Sequence, residues 1–388
     1  MVMEKRIHRG DWPAGTRIPA TRDLAEQFGT SRKTVQDAIG LLEKRKLVSR
    51  RPRVGCVVHS TAGRVQRHTI RKKAQIGIIT IGGYTPYIPP PPADYSRDWF
   101  WSIIGGMQPD MVGHGKLMTM IPTHLFDKEP LAALLERVDG IRETLAGILC
   151  YPLSWPAKQM SQLTHALDER QIPYVTLNRV SNLTHHNFVS ADFIGGTRLV
   201  GRCLARMGVR RVLMLGTKSI TSSHSEMDRV GGLFQGYALE DAPTQEIHVI
   251  RCADHRMESG HGIVSQYLND HPTPQAVVAM GDFLAQGAIK ALTERGLRIP
   301  DDVGVIGGTG LPQAREMTPS LTTLSLPGAE LGHQAMQMLL EMERADVTRI
   351  TGRTIRGELV LRQSLCIPES IQRELSEESE AWKFRAEQ

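Results

Sequence analysis

No apolar run in the 388 residues approaches the ~20 needed to span a bilayer, so no membrane segment is expected. The opening residues, 1–15, have no apolar stretch of the kind that makes a secretory signal, and the expected compartment is the cytoplasm. The five cysteines (Cys56, Cys150, Cys203, Cys252 and Cys366) are odd in number and show no C-x-x-C pair. That spacing argues against a disulfide framework or a zinc knuckle and leaves them as small buried hydrophobes. Catalytic signatures are equally thin. His114-Gly115-Lys116 has neither the upstream glycine nor the Ser/Thr of a phosphate loop, and no G-x-S-x-G occurs. Cys252-Ala253-Asp254-His255 has no second pair of metal ligands, and the glycine turn at 304–310 lacks G-x-G-x-x-G spacing. A nucleotide-dependent enzyme is therefore the weakest class, and no catalytic residue, metal or cofactor is expected.

What the chain does have is a lopsided charge. Residues 1–73 hold 18 Lys and Arg against 6 Asp and Glu, a net +12, whereas the remaining 315 hold 29 against 35, a net −6. The formal +6 of the whole thus hides a basic head on an acidic body. A compact basic segment suits nucleic-acid phosphates, since Lys and Arg displace condensed counterions; a solvated basic face would look the same by charge alone.

The order of elements in the head separates these two readings. Leu24, Ala25 and Phe28 recur at helical spacing over Thr21–Phe28, and Gly29 then permits the left-handed backbone that ends a helix. A second helix starts with Ser31 as N-cap. It puts Val35, Ala38, Ile39 and Leu42 on one face and Arg32, Lys33 and Gln36 on the other. Leu47–Arg50 and Gly55–Val58 read as strands flanking Arg50, Arg51 and Arg53, a two-stranded basic wing. The pattern is a winged helix-turn-helix over 1–58, followed by a polar, basic linker over 59–74.

Gly15, Ile18, Pro19, Arg22, Leu24, Ala25, Ser31, Arg32, Thr34, Val35, Ala38 and Leu42 stand where the GntR family of bacterial repressors has its DNA-binding pattern, and the head resembles that family. The resemblance implies that Ser31, Arg32, Lys33, Thr34 and Gln36 enter the major groove while Arg22 contacts phosphate; Arg53 on the wing completes the DNA-facing set. These roles suit the residues, because a helix N-terminus favours phosphate and Arg or Gln can pair with base edges. The wing departs from the family's glycine pair by reading Pro52-Arg53-Val54-Gly55.

Beyond residue 74 the period changes. Short apolar runs (Gln75–Ile81, Leu117–Ile121, Gly147–Cys150, Tyr174–Leu177, Val212–Leu215, Ala276–Met280, Val303–Ile306) alternate with helical stretches such as Leu131–Leu135, Gln159–Arg170 and Phe283–Arg295. Alternation of this kind predicts an α/β fold with parallel sheets covered on both faces, and over 300 residues of it suggest two lobes with a cleft. The segments 189–216, 227–237, 276–307 and 319–340 resemble the sugar-sensing domain of LacI/GalR-type regulators, itself similar to type I periplasmic binding proteins. Head and body together are similar to the arrangement in arabinose repressors.

The resemblance implies a two-lobed effector domain over 75–367. Lobe one is expected at about 75–207 and 324–350, lobe two at about 208–321 and 352–367, with a charged tail over 368–388. It also places Asp192, Ser225, Arg229, His255, Asp282 and Thr309 at the interlobe cleft. Arg229 is the firmest of these, since its fork of donors suits hydroxyls or a carboxylate; Asp282 reads equally as a helix cap. The family's acidic pair after a strand is replaced by Gly307-Gly308-Thr309-Gly310, and Gly281 replaces an asparagine. Two effector classes therefore stay open, a saccharide and a small molecule that is not a sugar. Trp99, Phe100 and Trp101, after the proline run at 89–92, either stack on a sugar face or pack a core.

The expected protein is a ligand-responsive transcriptional regulator, a repressor by family habit. It would bind double-stranded, pseudo-palindromic operator DNA as a homodimer, because two-fold protein symmetry mirrors operator symmetry. A transport binding protein would share the body but needs secretion and leaves the basic head unexplained.

Overall fold

The computed structural model describes residues 15–44, 47–51, 54–59, 74–81, 95–123, 131–151, 157–179, 186–217, 225–345, 352–378 and 382–387, together with 3, 6, 7 and 12. Two compact units result, Met1–Lys73 and Ala74–Gln388.

In the first unit α1 (Thr21–Gln27) ends where Gly29 takes φ +59°, and the Thr30 N–H closes back on the Ala25 carbonyl at 2.9 Å. The following α2 (Arg32–Lys44) is capped by Ser31, whose Oγ accepts the Thr34 N–H at 3.1 Å. The wing is β1 (Val48–Arg51) against β2 (Gly55–Val58), antiparallel with Val48 opposite Val58. It starts one residue later than the sequence suggests, because the Leu47 N–H is taken by the Leu42 carbonyl as α2 unwinds. Leu24, Val35, Ile39, Leu42, Val48 and Val58 close one apolar core, which makes this unit a winged helix-turn-helix. Of the expected linker, all but residues 59 and 74 lie outside the described residues, as does Arg53.

The second unit contains two sheets. Lobe one begins with β3 (Gln75–Ile81), α3 (Tyr95–Gly113), β4 (Leu117–Thr123), α4 (Leu131–Ile141), β5 (Leu145–Cys150), α5 (Ala157–Glu169), β6 (Tyr174–Leu177) and β7 (Phe188–Ala191). Lobe two follows with α6 (Phe193–Arg206), β8 (Val212–Thr217), α7 (Ser225–Leu239), β9 (Ile247–Cys252), α8 (Met257–Asp270), β10 (Ala276–Ala279), α9 (Asp282–Glu294), β11 (Gly304–Gly307) and β12 (Thr322–Ser325). The chain then returns to lobe one for α10 (Gly328–Ala345) and β13 (Gly352–Ile355), and ends in lobe two with β14 (Glu358–Leu361), α11 (Glu369–Glu378) and β15 (Lys383–Ala386).

The lobe-one sheet runs β13-β7-β6-β5-β3-β4, parallel throughout. The lobe-two sheet runs β15-β14-β12-β11-β10-β8-β9, parallel except where β12 meets β14. Successive strand residues point to opposite faces: Val212 and Met214 of β8 enter one core, Leu213 and Leu215 the other. That double burial is why these strands read as continuous apolar runs.

Three expected boundaries are corrected. Residues 193–206 belong to lobe two, because α6 buries Leu199, Val200, Cys203 and Leu204 with Val212, Met214, Leu233 and Tyr237 of that lobe. Residues 324–325 and 352–355 trade places: β12, which holds the former, pairs with β11 in lobe two, and β13 pairs with β7 in lobe one. Residues 368–388 hold no free tail over the described part, since β15 pairs with β14 and Leu375 and Trp382 are buried in the lobe-two core. The chain accordingly crosses between lobes at Asp192, at 326–327 and at 356–357. Trp99 and Phe100 are buried in the lobe-one core beside Tyr151, with Trp101 partly buried against it, which decides for packing.

Candidate functional site

The first unit presents one outward helix face. Ser31, Arg32, Lys33, Thr34 and Gln36 are all exposed, while Val35, Ile39 and Leu42 on the opposite side of α2 are buried. Ser31 and Thr34 bond each other through their hydroxyls at 2.8 Å, so they shape the helix start as well as facing outward. Arg22 is exposed on α1. The capped α2 N-terminus with Arg32 and Lys33 in its first turn is a surface where helix dipole and side-chain charge both favour phosphate.

In the second unit the candidate residues of lobe two gather at the carboxyl ends of β8, β10 and β11, where parallel sheets place their ligand crevices. Arg229, one turn after Ser225 on α7, is 7% exposed, with its guanidinium 4.6 Å from the centroid of the Phe193 ring. Its Nη1 donates a short bond to the Met280 carbonyl at the end of β10. A Cβ on Gly308 would fall 2.8 Å from that same Nη1, so the glycine after β11 is what admits the guanidinium.

His255 stands between β9 and α8, in a turn held by Asp254, which accepts from the Arg256 N–H at 3.0 Å and the Ser259 hydroxyl at 2.5 Å. The imidazole is half-buried, with its Nδ1 atom shielded from solvent. Burial, and then the nearby Arg229 cation, push its pKa down to about 3. The unfolded chain, with an imidazole near 6.5, therefore takes up this proton first as the pH falls. The stability carried by neutral His255 is complete above pH 6.5 and is lost progressively toward pH 3. His255→Gln is expected to flatten the acid limb of a Tm-against-pH curve across that window, as scanning calorimetry would read; an unchanged slope would contradict it.

Asp282 is fully buried, and its role is neither of the two expected. It does not cap α9, and its carboxylate is saturated: Oδ1 accepts from the N–H groups of Gly308 and Thr309 at 3.0 and 3.1 Å and from the Thr323 hydroxyl at 2.6 Å, and Oδ2 from the Leu311 N–H at 2.6 Å. Asp282 thus holds the loop after β11 in place rather than facing a ligand. Thr309 is 2% exposed, its Oγ1 accepting the Asp282 N–H at 3.2 Å, and so belongs to the same internal network. Asp192 points away from the group as well: Oδ1 accepts the Gly195 N–H at 2.9 Å to cap α6, and Oδ2 accepts the Trp382 Nε1–H at 3.0 Å. Of the expected set, Arg229 and His255 lie beside the chain leaving β10, at Met280 and Gly281, Ser225 is buried at the start of α7, and Asp282 and Thr309 belong to the loop network.

Sequence reasoning missed several participants. Phe193 supports Arg229 from a position that reads only as the start of an apolar helix face. In lobe one the Asn178 Oδ1 atom, at the carboxyl end of β6, is buried with no hydrogen-bond partner among the described residues, as is the Nε1 of Trp99, a residue the sequence singles out for its ring and not for its N–H. Arg179, next to Asn178, reaches across to Asp228 of α7 at 3.1 Å and links the lobes. The apolar run ending in Leu177-Asn178-Arg179 was the available signal, since polar residues at the carboxyl end of a parallel strand face the crevice. Among the described residues no group of three His, Cys, Asp or Glu side chains could hold a metal, and no helix is long and apolar enough to cross a membrane.

Comparison with known proteins follows the same division. Residues 3–58 match the bacterial regulatory proteins of the gntR family, and residues 202–365 match the periplasmic binding protein-like domain. The chain is similar to the arabinose metabolism transcriptional repressor of Geobacillus stearothermophilus, at 27% identity over 365 residues covering 92% of this chain and 94% of the relative. It is similar also to the HTH-type transcriptional repressor PurR of Edwardsiella ictaluri (strain 93-146), at 28% identity over 89% of this chain and 96% of the relative. Among solved structures, a LacI family transcriptional regulator from Enterococcus faecium with bound ribose superposes with a TM-score of 0.61 at 18% identity, covering 76% of this chain and 99% of that one. The chain joins a GntR-family winged helix-turn-helix domain to a periplasmic-binding-protein-like domain of two parallel-sheet lobes.

Proposed function

We propose that this protein is a ligand-responsive transcriptional repressor, cytoplasmic and without a catalytic role, that binds operator DNA as a homodimer. The observation that carries this reading is the division of α2 into a buried Val35, Ile39 and Leu42 stripe and an exposed Arg32, Lys33 and Gln36 face behind a capped N-terminus. The repressor names of its relatives support it. The effector binds between the lobes, against Arg229 and His255, and a ligand that prefers the closed cleft changes operator affinity by reciprocal coupling. Arg32→Ala is expected to cost ~1–3 kcal/mol of specific binding if Arg32 reads a guanine. Fluorescence anisotropy on an operator found by in vitro selection measures it, and unchanged affinity would remove α2 from the major groove.

For the effector, a saccharide is the first reading, supported by the ribose and arabinose named for its relatives. The commitment of Asp282 and Thr309 to the loop favours a second, an effector rich in acceptor oxygens such as a carboxylate or sugar phosphate. A thermal-shift screen of neutral sugars, polyols, sugar phosphates and carboxylates separates the two, since a ligand that binds only the folded state stabilises it by RT ln(1 + [L]/Kd).

A further inference from the structure

The C-terminal segment is fastened to lobe two at several points. Glu374 and Glu378 of α11 pair with Arg206 of α6, Glu378 also with Arg202, and β15 adds a parallel strand to β14. Its Trp382, 2% exposed, is the part that reaches the hinge. The indole N–H donates to Asp192, the first interlobe crossing, whose own N–H donates to the Ile355 carbonyl at 2.8 Å, just before the third. The ring fills a slot between two glycines: a Cβ on Gly196 would come within 2.8 Å of it, and one on Gly357 within 2.9 Å. That Gly357 Cβ would also lie 2.1 Å from the Ser325 carbonyl, next to the second crossing. One side chain therefore touches the first and third crossings and abuts the residue packed against the second.

We propose that Trp382 is a positioning residue for lobe closure. It clamps the lobe-two ends of the crossings, so that bending is confined to the few bonds on the lobe-one side, 191–192 and 355–356. Without the clamp the first turn of α6 and residues 356–358 share the motion, and the lobes lose a defined resting angle. The inference rests on the reading that the lobes move about these crossings when an effector binds.

The test uses the full chain and needs neither effector nor operator, so failure of the regulator reading would show separately, as absence of operator binding. Trp382→Phe keeps an aromatic side chain but removes the N–H and part of the packing in the slot; Asp192→Asn keeps the shape and removes one carboxylate acceptor. Each variant is followed by hydrogen exchange and by the spin–spin distance between labels at His165→Cys and Leu239→Cys, with Cys56 and Cys366 changed to serine. The expected result is exchange faster by roughly tenfold or more in peptides covering 192–196 and 355–358, the factor that corresponds to one lost bond to a charged acceptor. Exchange in β5 and β8 stays unchanged, and the interlobe distance distribution broadens. In the double variant the effects do not add, because both remove the same bond. Equal acceleration in core and crossings would make Trp382 a general stabiliser and overturn the proposal. So would an unaltered distance distribution; if Trp382→Phe fails to fold, Asp192→Asn decides by the same two readouts.

Discussion

Asp282→Ala lowers the stability of the second unit by about 4 kcal/mol, a large fraction of what holds a domain folded. Three backbone N–H groups and the Thr323 hydroxyl lose their common acceptor at once, deep inside the lobe. Each buried donor left without a partner costs ~1–3 kcal/mol, set against a whole-domain stability of ~5–15 kcal/mol. The full sum is not reached, because the loop 308–311 relaxes and water enters the vacated space. Asp282→Asn should fall between, since the amide keeps one oxygen for the Oδ1 donors but turns its NH2 toward the Leu311 N–H. Urea unfolding of the two variants, followed by circular dichroism, reads both losses. Equal midpoints for wild type and Asp282→Ala would show that the loop does not depend on the carboxylate.

Arg229→Ala abolishes the effector response and spares operator binding. The guanidinium lies on Phe193 at the first crossing and bonds Met280 at the end of β10, so an effector contacting it engages both α6 and the lobe-two sheet. Allosteric coupling is typically ~1–3 kcal/mol, a change in operator affinity of roughly 5–150-fold on ligand addition. In the variant that change falls to none, while binding by the first unit, which contains no part of this site, is retained. Operator Kd with and without the compound identified by thermal shift measures it. A preserved response would move the effector away from lobe two, and a lost operator affinity would mean the substitution unfolds the protein. Arg229→Lys tests the geometry, since an ammonium keeps the charge without the planar fork.

Much of the architecture was legible because it depends on local repetition. The strands of both sheets appear as apolar runs, and the halves of α2 separate by helical spacing alone. Which lobe an element joins was harder to read, because periodicity shows that a face is buried and not against what. The apolar stripe of α6 fits either lobe until Leu233 and Tyr237 are seen against it. At the C-terminus a glutamate-rich helix with one deeply buried leucine reads as a solvated tail; its attachment lies in ion pairs to arginines more than 160 residues earlier. Asp282 was misread for a related reason. Its partners are mostly backbone N–H groups some 26 to 29 residues downstream, and backbone groups leave no mark in the sequence.

The exchange of segments between the lobes also bears on how the chain acquires its fold. Lobe one lacks α10, and with it Leu331, Ala335, Met336 and Leu339 of its core, until after the inner strands of lobe two have been synthesised. Its edge strand β13 pairs with β7 across more than 160 residues, a contact whose loop-closure entropy is met only once the intervening lobe is compact. Lobe two, whose strands from β8 to β12 are contiguous, is the natural first nucleus during translation. Cutting the chain at any single point between 192 and 327 separates α10 and β13 from the rest of lobe one, so neither lobe survives as a simple fragment, and dissection of this sensor by truncation yields aggregation-prone pieces.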